Sequence, residues 1–243
     1  MNSQPAMLSA PHYQPLLPDE PRLSTIVKGE CALLMETSPV TALGLGLMLE
    51  TECGIRGGIL QANRLSDIYA LLLLHHPRVL VMELCGSDES VLDGVRLVSR
   101  CSESWPLTQV IVCTELCDTR GIKLLVSSGA SGVVLRHEPL SALVACTRAV
   151  LTGGRAFSPK VEQIIAQPDP PVKHLTAREL DVLYHLFSGR NVTSTASVMH
   201  LDIRTVSTYK RNAMFKLGFH SDSELFTYGG WMAKRGNSQL LNG

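Results

Sequence analysis

From Cys31 to Thr152 the chain alternates short apolar runs with longer stretches in which apolar side chains recur at three- and four-residue intervals. A short run bounded by turn residues suits a buried strand, and the longer period suits a helix laid over it, so the alternation predicts successive βα units around a parallel sheet. The strands it predicts cover residues 31–35, 55–60, 79–84, 110–113 and 132–135, and the helices 40–50, 65–74, 90–100, 119–128 and 140–151. Five parallel strands with covering helices make a doubly wound α/β domain, in which functional groups belong at the C-terminal ends of the strands.

Past residue 155 the pattern changes. Residues 155–172 hold Pro159, Pro168, Pro170 and Pro171 with little apolar periodicity beyond Ile165, which predicts a linker stiffened near its end. Thr176 followed by Glu179 has the capping-box spacing, and Leu180, Leu183 and Phe187 then repeat on one helical face that should stop at Gly189. A short helix from Thr193 to about Met199 follows, then a three-residue turn from His200 to Asp202, then a helix that Asp202 caps and Gly218 ends. In this third helix Val206, Ala213 and Leu217 share one side, while Arg204, Ser207, Thr208 and Arg211 gather within an arc of roughly 100° elsewhere. One face suits a core and the other suits DNA. Ser221 can cap a final helix, with Leu225 directed inward and Tyr228 and Trp231 exposed.

Taken together, LTARE at 175–179, VTSTASVM at 192–199 and RTVSTYKRNAMFKLG at 204–218 resemble the LuxR-type DNA-binding domain of NarL/FixJ response regulators, nearest to the RcsB-like branch. The resemblance implies a helix-turn-helix over residues 173–236, with Ser207, Thr208 and Arg211 facing bases and Arg204, Thr205 and Lys210 nearer the phosphates. It makes the last helix a dimer surface. It also makes residues 30–154 a flavodoxin/CheY-like receiver, flanked by a flexible Pro-rich tail at 1–29, with a short tail at 237–243. Partners implied are double-stranded DNA, a second copy or a related response regulator, and RNA polymerase.

A working receiver carries an acidic pair after the first strand, an acceptor Asp after the third, a Thr or Ser after the fourth and a Lys after the fifth. Aligned on Pro39, VLVMEL, VIVCT and GVVLR, only Thr114 keeps its type here. The acidic pair becomes Glu36 and Thr37, the acceptor becomes Glu83 and the Lys becomes Arg136. Glu83 is one methylene longer than Asp and cannot place a phosphorus in line with a donor, while loss of a carboxylate at Thr37 weakens the oxygen shell that Mg²⁺ needs. The expectation is a degenerate receiver that takes no phosphoryl group and needs no cofactor or metal. Two readings of Glu83, Arg136 and Thr114 follow: drift after phosphorylation became dispensable, or mimicry of the charged state.

Composition narrows the classes. Lys and Arg number 22 and Asp and Glu number 22, so the chain is formally neutral. From Lys173 onward nine Lys/Arg face five Asp/Glu, about +4, which leaves about −4 for the rest, a segregation typical of two-part nucleic-acid proteins. Seven cysteines without a CxxC argue against a disulfide framework or a zinc site. With no secretory start and no apolar run near the ~20 residues that cross a bilayer, a cytoplasmic location is expected. No GxSxG, phosphate-cradling loop or His/Asp arrangement points to an enzyme. The expected function is transcription regulation by a DNA-binding dimer, with an alternative in which the chain modulates a related regulator by heterodimerising with it.

Overall fold

The structure is a computed structural model that describes residues 26–86, 88–168 and 173–233. The tails expected at 1–29 and 237–243 lie outside it, except for residues 26–29, and so do residues 169–172 of the expected linker.

The N-terminal half is a doubly wound sheet. In chain order it runs β1 (Ala32–Met35), α1 (Pro39–Thr51), β2 (Ile59–Ala62), α2 (Leu65–His75), β3 (Val79–Met82), α3 (Val91–Ser104), β4 (Gln109–Thr114), α4 (Thr119–Ser127), β5 (Gly132–Leu135) and α5 (Leu140–Leu151). A further strand, β6 (Ala156–Phe157), and a helix, α6 (Pro159–Ile165), close the unit. All strands are parallel, in the order β2-β1-β3-β4-β5-β6, so the chain reverses direction across the sheet between β1 and β3. β1, β3 and β5 are buried along their whole length, as strands covered on both faces must be. Leu34, Val81, Ile111 and Val134 pack under α1 and α5, while Leu33, Leu80, Val112 and Val133 pack under the opposite layer of α2, α3 and α4.

Two parts differ from the pattern read along the chain. The second strand begins at Ile59 rather than at residue 55, although Ile55 is buried. Gly57 and Gly58 explain the offset: a Cβ on Gly57 would stand 2.5 Å from the Glu30 carbonyl carbon, and Gly58 takes φ +85°, so the chain turns tightly here before pairing with β1. The stretch expected as linker contributes ordered structure through residue 165. Cys146 Sγ and the Ser131 backbone N–H both reach into the β6 strand, the first donating to the Ala156 carbonyl at 3.1 Å and the second belonging to the residue whose carbonyl accepts from Ala156 N at 2.9 Å. Two residues of strand carry too little pattern to be read from sequence.

The C-terminal half is four helices: α7 (Ala177–Phe187), α8 (Val192–Met199), α9 (Ile203–Leu217) and α10 (Asp222–Met232). Thr176 and Glu179 form the reciprocal capping box that the spacing predicts. Asn191 caps α8, Asp202 caps α9 and Ser221 caps α10. Val206, Ala213 and Leu217 of α9 are buried with Leu180, Leu183 and Leu225, and each buried Val or Leu contributes about 1.5–3 kcal/mol relative to exposure. Gly229 lets α10 cross α7 closely, since a Cβ there would fall 1.9 Å from Phe187 Cδ1.

Candidate nucleic-acid interface and acidic cluster

The α8–α9 pair has helix-turn-helix form. His200 ends α8 in the left-handed conformation, at φ +53°, and Leu201 N donates back to the Ala196 carbonyl at 2.9 Å, which turns the chain sharply into α9. Asp202 accepts from Arg204 N at 2.7 Å. At the other end Gly218 sits at φ +69°, where a side chain would be strained. Lys216 anchors the back of α9 to α7, donating to Glu179 Oε2 at 2.7 Å, the oxygen that also accepts from Thr176 N.

With its back fixed, α9 presents Arg204, Thr208 and Arg211 fully exposed and Ser207 and Thr205 half-exposed. Thr208 Oγ1 donates to the Arg204 carbonyl at 2.9 Å, which sets its rotamer and leaves lone pairs outward. Lys210 stands apart from this stripe. Its ammonium is drawn to Asp222 at the start of α10, at 2.7 and 2.8 Å from the two carboxylate oxygens. The sequence gave no sign of that pair, because Asp222 is twelve residues away on another helix. Phe215 extends the exposed stripe one turn further, with Lys173 Nζ 3.9 Å from its ring centroid.

Glu36, Glu83, Thr114 and Arg136 do converge, at the C-terminal ends of β1, β3, β4 and β5, where a doubly wound sheet places its working groups. Arg136 Nε donates to Glu83 Oε2 at 2.8 Å and its Nη2 donates to Glu36 Oε2. The other oxygens are also satisfied: Leu84 N donates to Glu83 Oε1 at 2.7 Å and Ser38 N to Glu36 Oε1 at 2.9 Å. Two buried carboxylates therefore share one guanidinium. Burial pushes the Glu83 carboxyl above its ordinary range, an effect that Arg136, Leu84 N–H and Thr114 offset only in part while Glu36 adds to it. Burial would lower Arg136, but Glu83 and Glu36 outweigh it, so the guanidinium stays charged. Thr37 is not part of the cluster; it is exposed and lines an open cleft of about 430 Å³ with Asn63, Arg64 and Ser66.

The two halves touch through α3 and α4. Arg96 of α3 grips Asp181 of α7 through Nε at 2.9 Å and Nη2 at 2.8 Å, and its guanidinium lies 4.3 Å from the Tyr184 ring centroid. On α4, Asp118 accepts from Tyr228 of α10 at 2.6 Å. This corrects the expectation that Tyr228 and Trp231 are exposed. Both are half-buried, and burial followed by Asp118 pushes the Tyr228 phenol well above its ordinary pKa, so it remains a proton donor. An interdomain partner leaves no trace in helical periodicity.

A parallel α/β sheet joined to a helix-turn-helix unit defines a two-part class of regulator-like chains, and comparison with known proteins gives the family of its C-terminal part. Residues 173–228 match the family model described as bacterial regulatory proteins, luxR family, so the last four helices form a luxR-type helix-turn-helix. Over 176 residues, 67% of this chain and 79% of the relative, the sequence is 27% identical to the oxygen regulatory protein NreC of Staphylococcus epidermidis. It is 26% identical over 174 residues to NreC of Staphylococcus carnosus, covering 67% of this chain and 79% of that protein. The fold matches RcsB from Salmonella enterica serovar Typhimurium bound to promoter rprA in the presence of phosphomimetic BeF3-, at TM-score 0.53 and 21% identity, over 83% of this chain and 98% of that one. It also matches a structure of two RcsB dimers bound to two parallel DNAs, at TM-score 0.52 and 22% identity, over 83% and 98%. Among the described residues no helix is long and apolar enough to cross a membrane.

Proposed function

We propose that this chain is a DNA-binding transcription regulator that works without phosphorylation of its α/β domain. The observation that carries the reading is the capped α9 helix, whose back is locked by Val206, Ala213, Leu217 and Lys216 and whose front offers Arg204, Ser207, Thr208 and Arg211 to a major groove. Ser207, Thr208 and Arg211 read base edges, and Arg204 and Thr205 meet phosphates. Lys210 joins the phosphate contacts after releasing Asp222. Support also comes from what the solved RcsB structures contain, promoter DNA and dimers. Independence from phosphorylation is supported by Arg136, which neutralises in the resting chain the position where a transferred phosphoryl group would need a cation. That favours mimicry of the charged state over drift.

The chain acts as a dimer, and α1 supplies the first candidate face. Val40, Leu43 and Leu47 are 82%, 77% and 59% exposed at helical spacing, and Leu140 at the start of α5 is exposed beside them. The same stripe supports a second reading, in which the partner is a related response regulator whose promoter binding this chain modulates. Genomic fragments retained by the purified chain, followed by sedimentation of the chain alone and with such a regulator, test both. Retention of specific fragments by the chain alone supports the first reading; no retention, with a mixed dimer formed, supports the second.

A further inference from the structure

The contacts between the two halves fall into two groups, and each uses charge and ring together. At α4, Asp118 Oδ2 accepts from Gly121 N at 2.7 Å, capping the helix, and also from the Tyr228 hydroxyl at 2.6 Å. Beside it, Arg120 lies 4.9 Å from the Phe219 ring centroid and 3.8 Å from Glu224. At α3, Arg96 holds Asp181 and covers Tyr184, while Arg100 stands 3.8 Å from the same Asp181 oxygen. His174 Nδ1 and the Ser127 carbonyl, 3.1 Å apart, add a contact where α7 is entered.

What these contacts leave open is equally definite. Arg204, Thr208 and Arg211 of α9 remain exposed. So do Ser223, Phe226, Thr227 and Gly230 of α10, which share one face at i, i+3, i+4 and i+7. An interdomain contact that shut off nucleic acid would cover the first set, and one that blocked pairing of α10 would cover the second. This one covers neither. It is also close to the acidic cluster: Thr114 ends β4, its hydroxyl accepts from Leu116 N at 3.2 Å, and Asp118 comes two residues later.

We propose that the Tyr228–Asp118 and Arg96–Asp181 contacts are a latch that holds the two domains in the arrangement competent to bind DNA, in place of a rearrangement driven by phosphoryl transfer. The proposal rests on the DNA-binding reading above. Its physical basis is pre-organisation. When two α/β domains pair, the spacing of the two α9 helices depends on each domain's orientation to its own helix-turn-helix, and a fixed orientation keeps both helices at the separation that one DNA site presents. Loosening the latch adds orientations that cannot engage both half-sites, and the apparent affinity falls with the fraction that can.

The test uses the full chain and a genomic fragment that it retains. Tyr228→Phe removes one hydroxyl and keeps the ring; Arg96→Glu breaks the second contact; Arg96→Glu with Asp181→Arg restores its charge pairing. Small-angle scattering reads the domain arrangement, anisotropy reads DNA binding, and thermal unfolding checks each fold. Tyr228→Phe combined with Arg96→Glu should enlarge the radius of gyration and weaken DNA binding by at least about fivefold, with the charge exchange recovering much of both. Tyr228→Phe alone should shift both in the same direction to a smaller extent. Unchanged scattering in the combined variant overturns the latch, and so does tighter DNA binding with the domains separated, which would make the contact a restraint on binding. If the wild-type chain retains no fragment, the DNA-binding reading falls and the latch's proposed role falls with it; scattering then shows whether the contacts hold the domains at all.

Discussion

Arg136 donates to Glu83 across 2.8 Å and reaches Glu36 with its other arm, so the end of β5 is tied to the ends of β3 and β1 through one guanidinium. Such a tie is strong in one direction only. Removing a carboxylate leaves a balanced pair, whereas removing the guanidinium leaves two buried negative charges facing each other.

Arg136→Met should therefore destabilise the chain by about 3–5 kcal/mol at neutral pH, the usual cost of stranding a buried charge. The deficit should shrink near pH 5, where protonation relieves the stranded carboxylates. Denaturant unfolding at both pH values measures it, and a loss below about 1 kcal/mol at neutral pH would mean that water already screens the cluster.

The pH dependence of the native chain has a definite sign. The Glu83 carboxyl is raised above 4.5 in the fold, chiefly by burial, so the folded state holds that proton more tightly than the unfolded state does. Its stabilising contribution is fully present below about 4.5 and is lost as pH rises through the folded value. Glu83→Gln removes this term, so the difference in unfolding free energy between variant and wild type should move in the variant's favour from pH 4.5 upward until Glu83 is ionised in the fold. Parallel curves would show that Glu83 titrates alike in both states.

No phosphoryl group should transfer to the chain from acetyl phosphate with Mg²⁺. Glu83 Oε2 is committed to Arg136, Oε1 to Leu84 N, and Thr37 offers no carboxylate. Intact-mass measurement checks this, and a stoichiometric gain of one phosphate, absent in Glu83→Ala, contradicts it.

On DNA, Arg211→Ala should relax sequence preference by about 1–3 kcal/mol, the worth of an Arg gripping a base edge. Lys210→Ala should weaken all sequences alike and make the salt dependence shallower. Because Asp222 holds the Lys210 ammonium at 2.7 Å, Asp222→Asn should tighten binding on specific and scrambled sites together. A salt series on both sites distinguishes these three; unchanged binding in all of them removes α9 from the groove.

Gly229→Ala should destabilise the C-terminal unit although alanine favours helix by about 1 kcal/mol over glycine. The added Cβ would meet Phe187 Cδ1 at 1.9 Å, and separating α10 from α7 should cost about 1–3 kcal/mol net of that gain. Thermal unfolding of the variant reads the balance, and a raised Tm would show that Phe187 swings aside freely.

The legible parts of this molecule were those in which cause and effect lie within one turn of helix or one strand. Thr176 and Glu179, Asp202, Gly218 and Ser221 mark helix ends through groups three or four residues away, and each does so in the structure. The parallel sheet was legible because β1, β3 and β5 must be apolar throughout. The start of β2 was not, since Gly57 answers to the backbone of Glu30 and not to its own neighbours. Convergence of Glu36, Glu83 and Arg136 came from the resemblance, and their ionic pairing came only from the fold. Tyr228 with Asp118, and Lys210 with Asp222, could not be found by periodicity, because a partner on a separate element imposes no pattern on either stretch.

In α9 the residues that fasten the helix and those that face outward do not overlap: Val206, Ala213, Lys216 and Leu217 do the first, and Arg204, Ser207, Thr208 and Arg211 are free of it. Mutation on the outer positions is thus uncoupled from stability, so a lineage can drift through many binding preferences without passing through an unfolded ancestor. The helix is built as an interchangeable key on a fixed shank.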